Sequence, residues 1–497
     1  MTQEMRVRPS QTPRWGLAEL AAEVGATASG EAVVTGIALN TAHVQPGDLY
    51  AALPGARAHG ATYVGQAVER GAVAVLTDRD GAELVAGVLP TIVVDQPRRK
   101  IAGLSAAFYG HPAESFTTVG ITGTQGKTTT TYLAEAALGD RVSAVVGTIG
   151  TRIGRVPAAS TLTTPEAPQL QALFAVMREE GVEVCAMEVS SHALVQGRVD
   201  GFLFDVAVFL NLGRDHLDFH HDLEDYFLAK AALFTPERAR HAVINVDDAH
   251  GRRLRELTPL PITTFSTDGN AADWRAVNIR PHRLGTDLEV IGPDGAAFDL
   301  SVPLPGVFNV SNALAVIAAL ATAGHDPAEL AAGIAASTGV PGRMERVDAG
   351  QPFTAIVDYA HKPDAVTAVL SALRPVTAGR LIVVIGAGGD RDHGKRPLMG
   401  EAAARHADVV IVTDDNPRTE SAATIRSAVM QGAAAGPGVA IEVPGRREAI
   451  AHAVAMAHLG DTVVVAGKGH ERGQEVDGVV HPFDDREVLV ELIGAAS

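Results

Sequence analysis

Lys127 and Thr128 close a seven-residue run, Gly123-Thr124-Gln125-Gly126-Lys127-Thr128-Thr129, whose residue types suit the handling of a nucleoside triphosphate. Glycines let the backbone turn tightly enough for amide N–H groups to face phosphate oxygens, and a helix opening at the lysine adds favourable partial charge. Lys127 would bridge the β- and γ-phosphates, and the Thr128 hydroxyl would ligate Mg²⁺. The run departs from the common G-x-x-x-x-G-K-[ST] pattern, because Ile121 takes the place of the first glycine. A Gly-rich turn carrying a solvated lysine is the plain alternative. The β-rich run before the loop and the helical pattern after it (Thr130–Leu138) favour the nucleotide. Such a loop alone does not separate a ligase from a kinase, a switch or a motor.

Two further polar clusters stand at the ends of short apolar runs: Glu188-Val189-Ser190-Ser191-His192, and Asn211-Leu212-Gly213-Arg214-Asp215-His216-Leu217-Asp218. Glu188 and His216 would both face the triphosphate as metal ligands. Taken singly, each is explained as a strand-end cap or a loop residue. Their place after successive strands tips the balance towards function, since open α/β sheets collect ligands beyond the carboxyl ends of their strands.

The elements that must position these groups read as three α/β parts. Residues 1–114 mix short apolar runs, Ala72–Leu76 and Thr91–Val94, with helical patterns such as Ile101–Tyr109, which ends in Gly110-His111-Pro112. From 115 to 341 the runs Thr117–Thr122, Val142–Val146, Val182–Val189, Asp205–Leu210 and Ala242–Asn245 alternate with helices. Such nearly all-apolar runs suit parallel strands buried on both faces, here a doubly wound central sheet. The stretch Ile262–Leu304 is expected to be irregular and to add an antiparallel portion. From 342 to 497 the pattern returns with Thr354–Val357, Leu381–Ile385, Val409–Val412 and Thr462–Val465, a second doubly wound, Rossmann-like part.

Bulk properties narrow the function. Forty-one Lys plus Arg against 58 acids leave a net charge of −17, which argues against capture of nucleic acid. The single cysteine, Cys185, excludes an intramolecular disulfide and lies in an apolar run, as a core thiol would. No run approaches the ~20 apolar residues of a membrane span, and MTQEMRVRPSQTPRW has no apolar signal core. A cytoplasmic protein without stable membrane insertion is expected.

Gly123–Thr129, Glu188–His192, Asp215–Asp218, Asn309-Val310-Ser311-Asn312-Ala313, Gly342-Arg343-Met344-Glu345 and Asp358-Tyr359-Ala360-His361 stand in the order of similar motifs in the Mur ligase family. The chain resembles that family over nearly its whole length, most strongly from Thr122 onwards. Gly389-Asp390-Arg391, Asp415-Asn416-Pro417-Arg418 and Gly467-Lys468-Gly469-His470-Glu471 are similar to its diaminopimelate-adding branch. The resemblance implies a UDP-binding N-terminal domain, a central P-loop ATPase and a C-terminal Rossmann-like domain. It also implies an ATP- and Mg²⁺-dependent ligase of cell-wall synthesis. ATP would phosphorylate the carboxylate of UDP-MurNAc-L-Ala-D-Glu, and diaminopimelate would then attack the acyl phosphate.

Roles follow from the same resemblance. Thr128 and Glu188 would serve the metal nearer ATP, and His216 a second one. Lys230, in Tyr226-Phe227-Leu228-Ala229-Lys230-Ala231, would be carbamoylated to make another anionic ligand, although a solvated helix lysine is the simpler reading of the residues alone. Asn312, Arg343 and Asp358 would contact ATP. Thr41 would lie near the uracil, with Thr163, Thr164, Ser190, Gln196 and Arg198 on the muramoyl-dipeptide. Arg391 and Arg418 would take the diaminopimelate carboxylates. Asp415, Asn416 and Pro417 would belong to the same binding site, with Pro417 also holding the turn, and Glu471 and backbone groups near Gly467 would receive the distal ammonium. The plain alternative is that Asp415 and Arg418 only pair with each other to brace a loop.

Some positions depart from the family. Gln125 replaces an asparagine or lysine, Leu162 stands where asparagine often precedes the threonine pair, and Ala56-Arg57-Ala58 does not reproduce the uridine-side sequence. The rivals within this chemistry are a lysine-adding enzyme and a folylpolyglutamate synthase; outside it, a nucleotide switch without ligase activity. The acid and cation of Asp415–Arg418 favour diaminopimelate, since lysine lacks the second carboxylate. Meso and LL isomers carry the same groups, so the sequence does not separate them. A monomer is the expected state.

Overall fold

Short strands rich in Val, Ile and Ala, buried on both faces, pair in parallel and build three sheets. The computed structural model describes residues 6–55, 57–154, 156–158 and 162–496, so Ala56 and the segment Met1–Met5 lie outside the described residues. The chain divides into two compact units. One comprises Met1–Arg275, Gly292–Asp294 and Leu314–Leu330; the other comprises Ala276–Ile291, Gly295–Ala313 and Ala331–Ser497.

The first unit holds two sheets. The smaller is parallel, with Gly36–Ala38, Asp48–Ala51, Ala74–Thr77 and Thr91–Val93 in sequential order. The larger has parallel strands in the order Ser143–Gly147, Val184–Glu188, Thr117–Thr122, Phe204–Phe209, Ala239–Asn245 and Ile262–Ser266. The chain leaves Thr117–Thr122 towards one edge and later returns to its other side. A switch point therefore opens at the carboxyl end of that strand, where doubly wound sheets bind ligands.

The boundary expected after Glu114 falls inside this unit, where each sheet keeps its own core. Helix Ala167–Glu179 serves both: Ala172 and Ala175 pack on the smaller sheet's core, and Leu173, Phe174, Val176 and Met177 on the larger one's. Such a helix, apolar nearly all round, has to be buried on both sides.

Ile262–Leu304 differs from its expected irregularity. Ile262–Ser266 pairs parallel with Ala239–Asn245, because its β-branched residues and Phe265 extend the buried sheet. The antiparallel portion is the hairpin of Gly285–Ile291 and Ala297–Val302 in the second unit. The main sheet of that unit runs Glu345–Val347, Thr354–Asp358, Thr462–Ala466, Leu381–Ile385, Val409–Val412, Val439–Glu442, parallel throughout except for the first strand. Among the described residues no helix is long and apolar enough to cross a membrane.

Candidate functional site

The loop after Thr117–Thr122 is tied down from the neighbouring strand. Asn211 Oδ1 accepts from the amides of Thr124 at 3.1 Å and Gln125 at 2.9 Å. Gly126 sits at φ +86°, a left-handed turn that starts helix Lys127–Ala137 and favours glycine. Lys127 folds back over the loop and donates to the carbonyls of Gly123 at 2.8 Å and Thr124 at 3.3 Å. Thr128 and Thr129 are buried in the first helical turn.

Thr128 Oγ1 donates to Glu188 Oε1 at 2.9 Å. The buried Glu188 carboxylate also accepts from the Thr148 amide at 2.8 Å and the Thr148 hydroxyl at 3.1 Å. Gly147 makes room for it, because a Cβ there would overlap Glu188 Oε1. A hydroxyl and a carboxylate side by side at a phosphate loop fit Mg²⁺, which takes one or two protein oxygens and completes its shell with water and phosphate. Among the described residues no group of three or more His, Cys, Asp or Glu side chains is placed to hold a metal ion.

Lys230 approaches the same loop from helix Leu223–Ala231. It is 1% exposed, which removes the reading of a solvated helix lysine. Its ammonium donates to Gly123 O at 2.9 Å and lies 4.5 Å from the centre of the Tyr226 ring. Burial pushes the Tyr226 phenol up, and its oxygen accepts from Thr124 Oγ1 at 3.3 Å. His216, at φ +52°, has its ring 6.0 Å from Tyr226 and 4.9 Å from His192, with Nε2 3.2 Å from Asp215. Left-handed non-glycine residues of this kind gather at functional sites.

Three members of this site escaped sequence reasoning. Thr148 holds Glu188. His220 is buried between Ser191 Oγ at 2.9 Å and Asp225 Oδ2 at 3.2 Å. Phe219 stacks on His192 at 3.9 Å. The sequence carries a signal only for the last two, which follow directly after Asp215–Asp218.

A cavity of about 1010 Å³ in the first unit is lined by Thr41, Arg98, Leu162, Glu166 and Arg198, among others. Thr41 Oγ1 donates to Gln66 at 3.2 Å. Arg198 reaches Glu166 at 3.0 Å, the Thr164 carbonyl at 3.0 Å and Gln196 Oε1 at 2.7 Å. Burial lowers its pKa, against the pull of Glu166. Thr164 Oγ1 in turn donates to the Glu188 carbonyl at 2.8 Å and accepts from the Ser190 amide at 3.2 Å. The Thr163 and Thr148 hydroxyls are 3.0 Å apart. Hydrogen bonds thus run from Arg198 at the cavity wall through Thr164 to the Glu188 backbone carbonyl, and from Thr163 through Thr148 to the Glu188 carboxylate.

In the second unit the strand-end loops meet one another. Asp358 accepts from the amides of Met344 and Ala360, both at 2.8 Å, and burial raises its pKa. The Arg343 guanidinium stacks 4.3 Å over Tyr359. Gly342 is left-handed, and a Cβ there would overlap the His470 amide, so its loop lies flat on Gly469-His470. Asn312 donates to Asn309 Oδ1 at 3.3 Å.

Lys468 is fully buried and donates to Asn416 Oδ1 at 3.0 Å and Glu471 Oε2 at 3.1 Å, while Asn416 Nδ2 donates to the same Glu471 oxygen at 3.0 Å. Gly467, at φ +115°, brings its backbone against Asp415. Arg418 Nη1 donates to Gly389 O at 2.6 Å, and a Cβ on Gly388 would lie 3.0 Å from Arg418 Nη1 and 4.0 Å from Arg391 Cγ. Arg391 and Arg418 therefore flank one turn. The simple Asp415–Arg418 brace is not formed. Asp415 caps the Asn416 amide at 2.7 Å, and Arg418 Nε faces Glu475 at 3.3 Å. The left-handed backbone of Arg418 (φ +52°) carries its chain on to the hairpin Gly473–Pro482, from which Glu475 projects.

Comparison with known proteins finds three family models along the chain. Residues 33–109 match the Mur ligase family catalytic domain, 121–320 the Mur ligase middle domain, and 342–469 the Mur ligase glutamate ligase domain. The UDP-N-acetylmuramoyl-L-alanyl-D-glutamate–2,6-diaminopimelate ligase of Streptomyces coelicolor is 55% identical over 98% of this chain and 97% of its own. The namesake from Pseudomonas aeruginosa is 42% identical over 92% and 95%. A solved UDP-N-acetylmuramoyl-L-alanyl-D-glutamate–2,6-diaminopimelate ligase superposes with a TM-score of 0.68 at 35% identity, covering 93% of this chain and 95% of that one.

Proposed function

The chain belongs to the Mur ligase family, and from that premise we propose that it joins diaminopimelate to UDP-N-acetylmuramoyl-L-alanyl-D-glutamate, releasing ADP and phosphate, during peptidoglycan precursor synthesis. The observation that carries the choice of amino acid is the second-unit cluster, where Arg418 and the Glu471 carboxylate share one set of strand-end loops. Diaminopimelate ends in a carboxylate and an ammonium, which complement that pair. Lysine ends in an ammonium alone and offers the arginine no carboxylate, so it forgoes a charge-assisted bond that diaminopimelate can make.

The reaction needs two anions to meet. An oxygen of the D-glutamyl carboxylate attacks the γ-phosphorus, ADP leaves with the bridging electron pair, and an acyl phosphate results. The amino group of diaminopimelate attacks the acyl carbon, and the tetrahedral intermediate expels phosphate as the nitrogen loses its proton. Lys127 turns from the loop carbonyls towards the β- and γ-phosphates and offsets the developing charge. Thr128 and Glu188 would hold Mg²⁺, with His216 and a carbamoylated Lys230 serving a second ion, and metal bound there would supply further positive charge to offset the repulsion of the two anions.

Asn312, Arg343 and Asp358 contact ATP in this reading. The UDP-sugar peptide occupies the large cavity, with Thr41 towards the uracil and Arg198, Gln196, Ser190, Thr163 and Thr164 towards the dipeptide. Arg391 binds the second diaminopimelate carboxylate. Cytoplasmic location and a monomeric state belong to the same proposal. The test is ADP release across an amino-acid panel that includes lysine and both diaminopimelate isomers. Release should require the UDP-MurNAc-dipeptide and diaminopimelate together, and release with nucleotide alone would defeat the reading.

A further inference from the structure

Arg418 is held at four points. Its amide donates to Glu475 O at 3.0 Å, and its carbonyl accepts from the Asp477 amide at 2.7 Å, so its backbone rides along the hairpin formed by Gly473–Val476 and Val479–Pro482. At the side chain, Nη1 is fixed by Gly389 O and Nε faces Glu475 Oε2 at 3.3 Å. A guanidinium presents two edges to carboxylates, a side edge through Nε and an end edge through its two Nη atoms. Glu475 takes the side edge, and Nη2 bonds to no described residue. Nη1 donates to Gly389 O, so of the end edge Nη2 remains for a second carboxylate.

The hairpin is itself bound to the amino-acid motif. The Glu475 amide donates to Asn416 Oδ1 at 3.0 Å, and Gln474 Nε2 donates to Asp415 O at 2.6 Å. The backbone thus places the Glu475 carboxylate independently of any substrate.

We propose that Glu475 is a positioning residue that aims the Arg418 end edge at the distal carboxylate of diaminopimelate, a specificity role that rests on the reading of this site given above. The ion pair at the side edge, 3.3 Å between Arg418 Nε and Glu475 Oε2, restrains the guanidinium plane, so that less freedom is lost when substrate binds. Without it, rotation about the Arg418 side chain would move the end edge off its target.

The test uses the full-length enzyme with ATP and UDP-MurNAc-L-Ala-D-Glu, following ADP release against diaminopimelate concentration. Glu475→Ala should raise the KM for diaminopimelate by about 10-fold while kcat and the KM for ATP stay within about twofold, because uniform binding is lost and not transition-state binding. Glu475→Gln keeps the length of the side chain but not its charge and should recover only part of that loss. An unchanged or lower KM in Glu475→Ala would overturn the inference, as would an equal rise in every KM with a lower Tm, which marks a merely structural residue. Failure of the unmodified enzyme to respond to diaminopimelate would overturn the reading of the site, and this role with it. A responsive enzyme with an insensitive Glu475→Ala variant would overturn this role alone.

Discussion

The buried ammonium of Lys230 and the carbonyl of Gly123 are joined by a 2.9 Å hydrogen bond, linking the end of helix Leu223–Ala231 to the first residue of the phosphate loop. That bond is compatible with carbamoylation. When the neutral amine adds carbon dioxide and sheds a proton, the nitrogen keeps one N–H for Gly123 and gains an anionic carboxylate. Lys230→Ala should lower turnover by about 100-fold, in the range seen when groups supporting a metal are removed, and acetate or formate should restore part of it. A high-resolution map of the metal- and substrate-loaded enzyme should show the carbamate. An unmodified ammonium in that map would defeat the idea.

Lys127 lies within reach of two loop carbonyls and so is preformed for, but not committed to, phosphate. Lys127→Ala should abolish ADP release while leaving the fold intact by circular dichroism. A folded variant with ordinary phosphate release would rule out its place at the β- and γ-phosphates.

Glu188 offers a test that removes no functional group. It is confined by Thr128, by Thr148 and by the absence of a side chain at Gly147. Gly147→Ala would push the carboxylate away from Thr128. Displacement by about 1 Å can cost on the order of 10²-fold in rate, so kcat should fall steeply and the apparent Mg²⁺ requirement should rise. Unchanged activity and Mg²⁺ dependence would mean that Glu188 tolerates displacement.

Much of the architecture could be read from the chain because parallel strands buried on both faces leave uninterrupted apolar runs. Thr117–Thr122, Leu381–Ile385 and Val409–Val412 occur as expected to the residue. The runs fail where a strand is polar or half exposed, as in Ile262–Ser266 and Val439–Glu442. The phosphate loop and the strand-end motifs were readable for the same reason: each follows such a run. Thr148 and Glu475 were not, because their roles arise from partners 40 and 57 residues away, Glu188 and Arg418. No periodicity marks a pairing made by the sheet order. Lys230 is the reverse case, since its helix reads as ordinary and only the fold buries it.

Two histidines of the second unit give the stability a defined pH dependence. Burial holds both His361 and His470 down to about 4, with Lys362 adding repulsion at the first and Arg343 at the second. In the unfolded chain they titrate near 6.5, so below that pH the unfolded state binds more protons. Their contribution is complete above 6.5 and is lost as the pH falls towards 4. Tm should therefore fall by several degrees between pH 7 and pH 5, and His470→Gln should flatten part of that slope. A Tm independent of pH across this window would show that neither histidine is held neutral.

The final prediction concerns Arg418, whose carboxylate partner is Glu475 and not the neighbouring Asp415. Two outcomes of Arg418→Ala are distinguishable. If the guanidinium only fastens the hairpin Gly473–Pro482 to the turn, its loss should loosen the whole cluster. Tm would then drop, and the KM values for ATP and diaminopimelate would rise together. If its end edge binds the distal carboxylate, the loss should fall on diaminopimelate alone. A desolvated charge-assisted bond of this kind is worth roughly 2–4 kcal/mol, about 30- to 1000-fold in affinity. The backbone bonds of residue 418 to Glu475 and Asp477 do not depend on its side chain, so the hairpin should stay in place. We therefore expect the KM for diaminopimelate to rise by at least about 30-fold with the KM for ATP nearly unchanged. Preference for diaminopimelate over lysine should shrink in the same variant, because the group that reads the second carboxylate is gone.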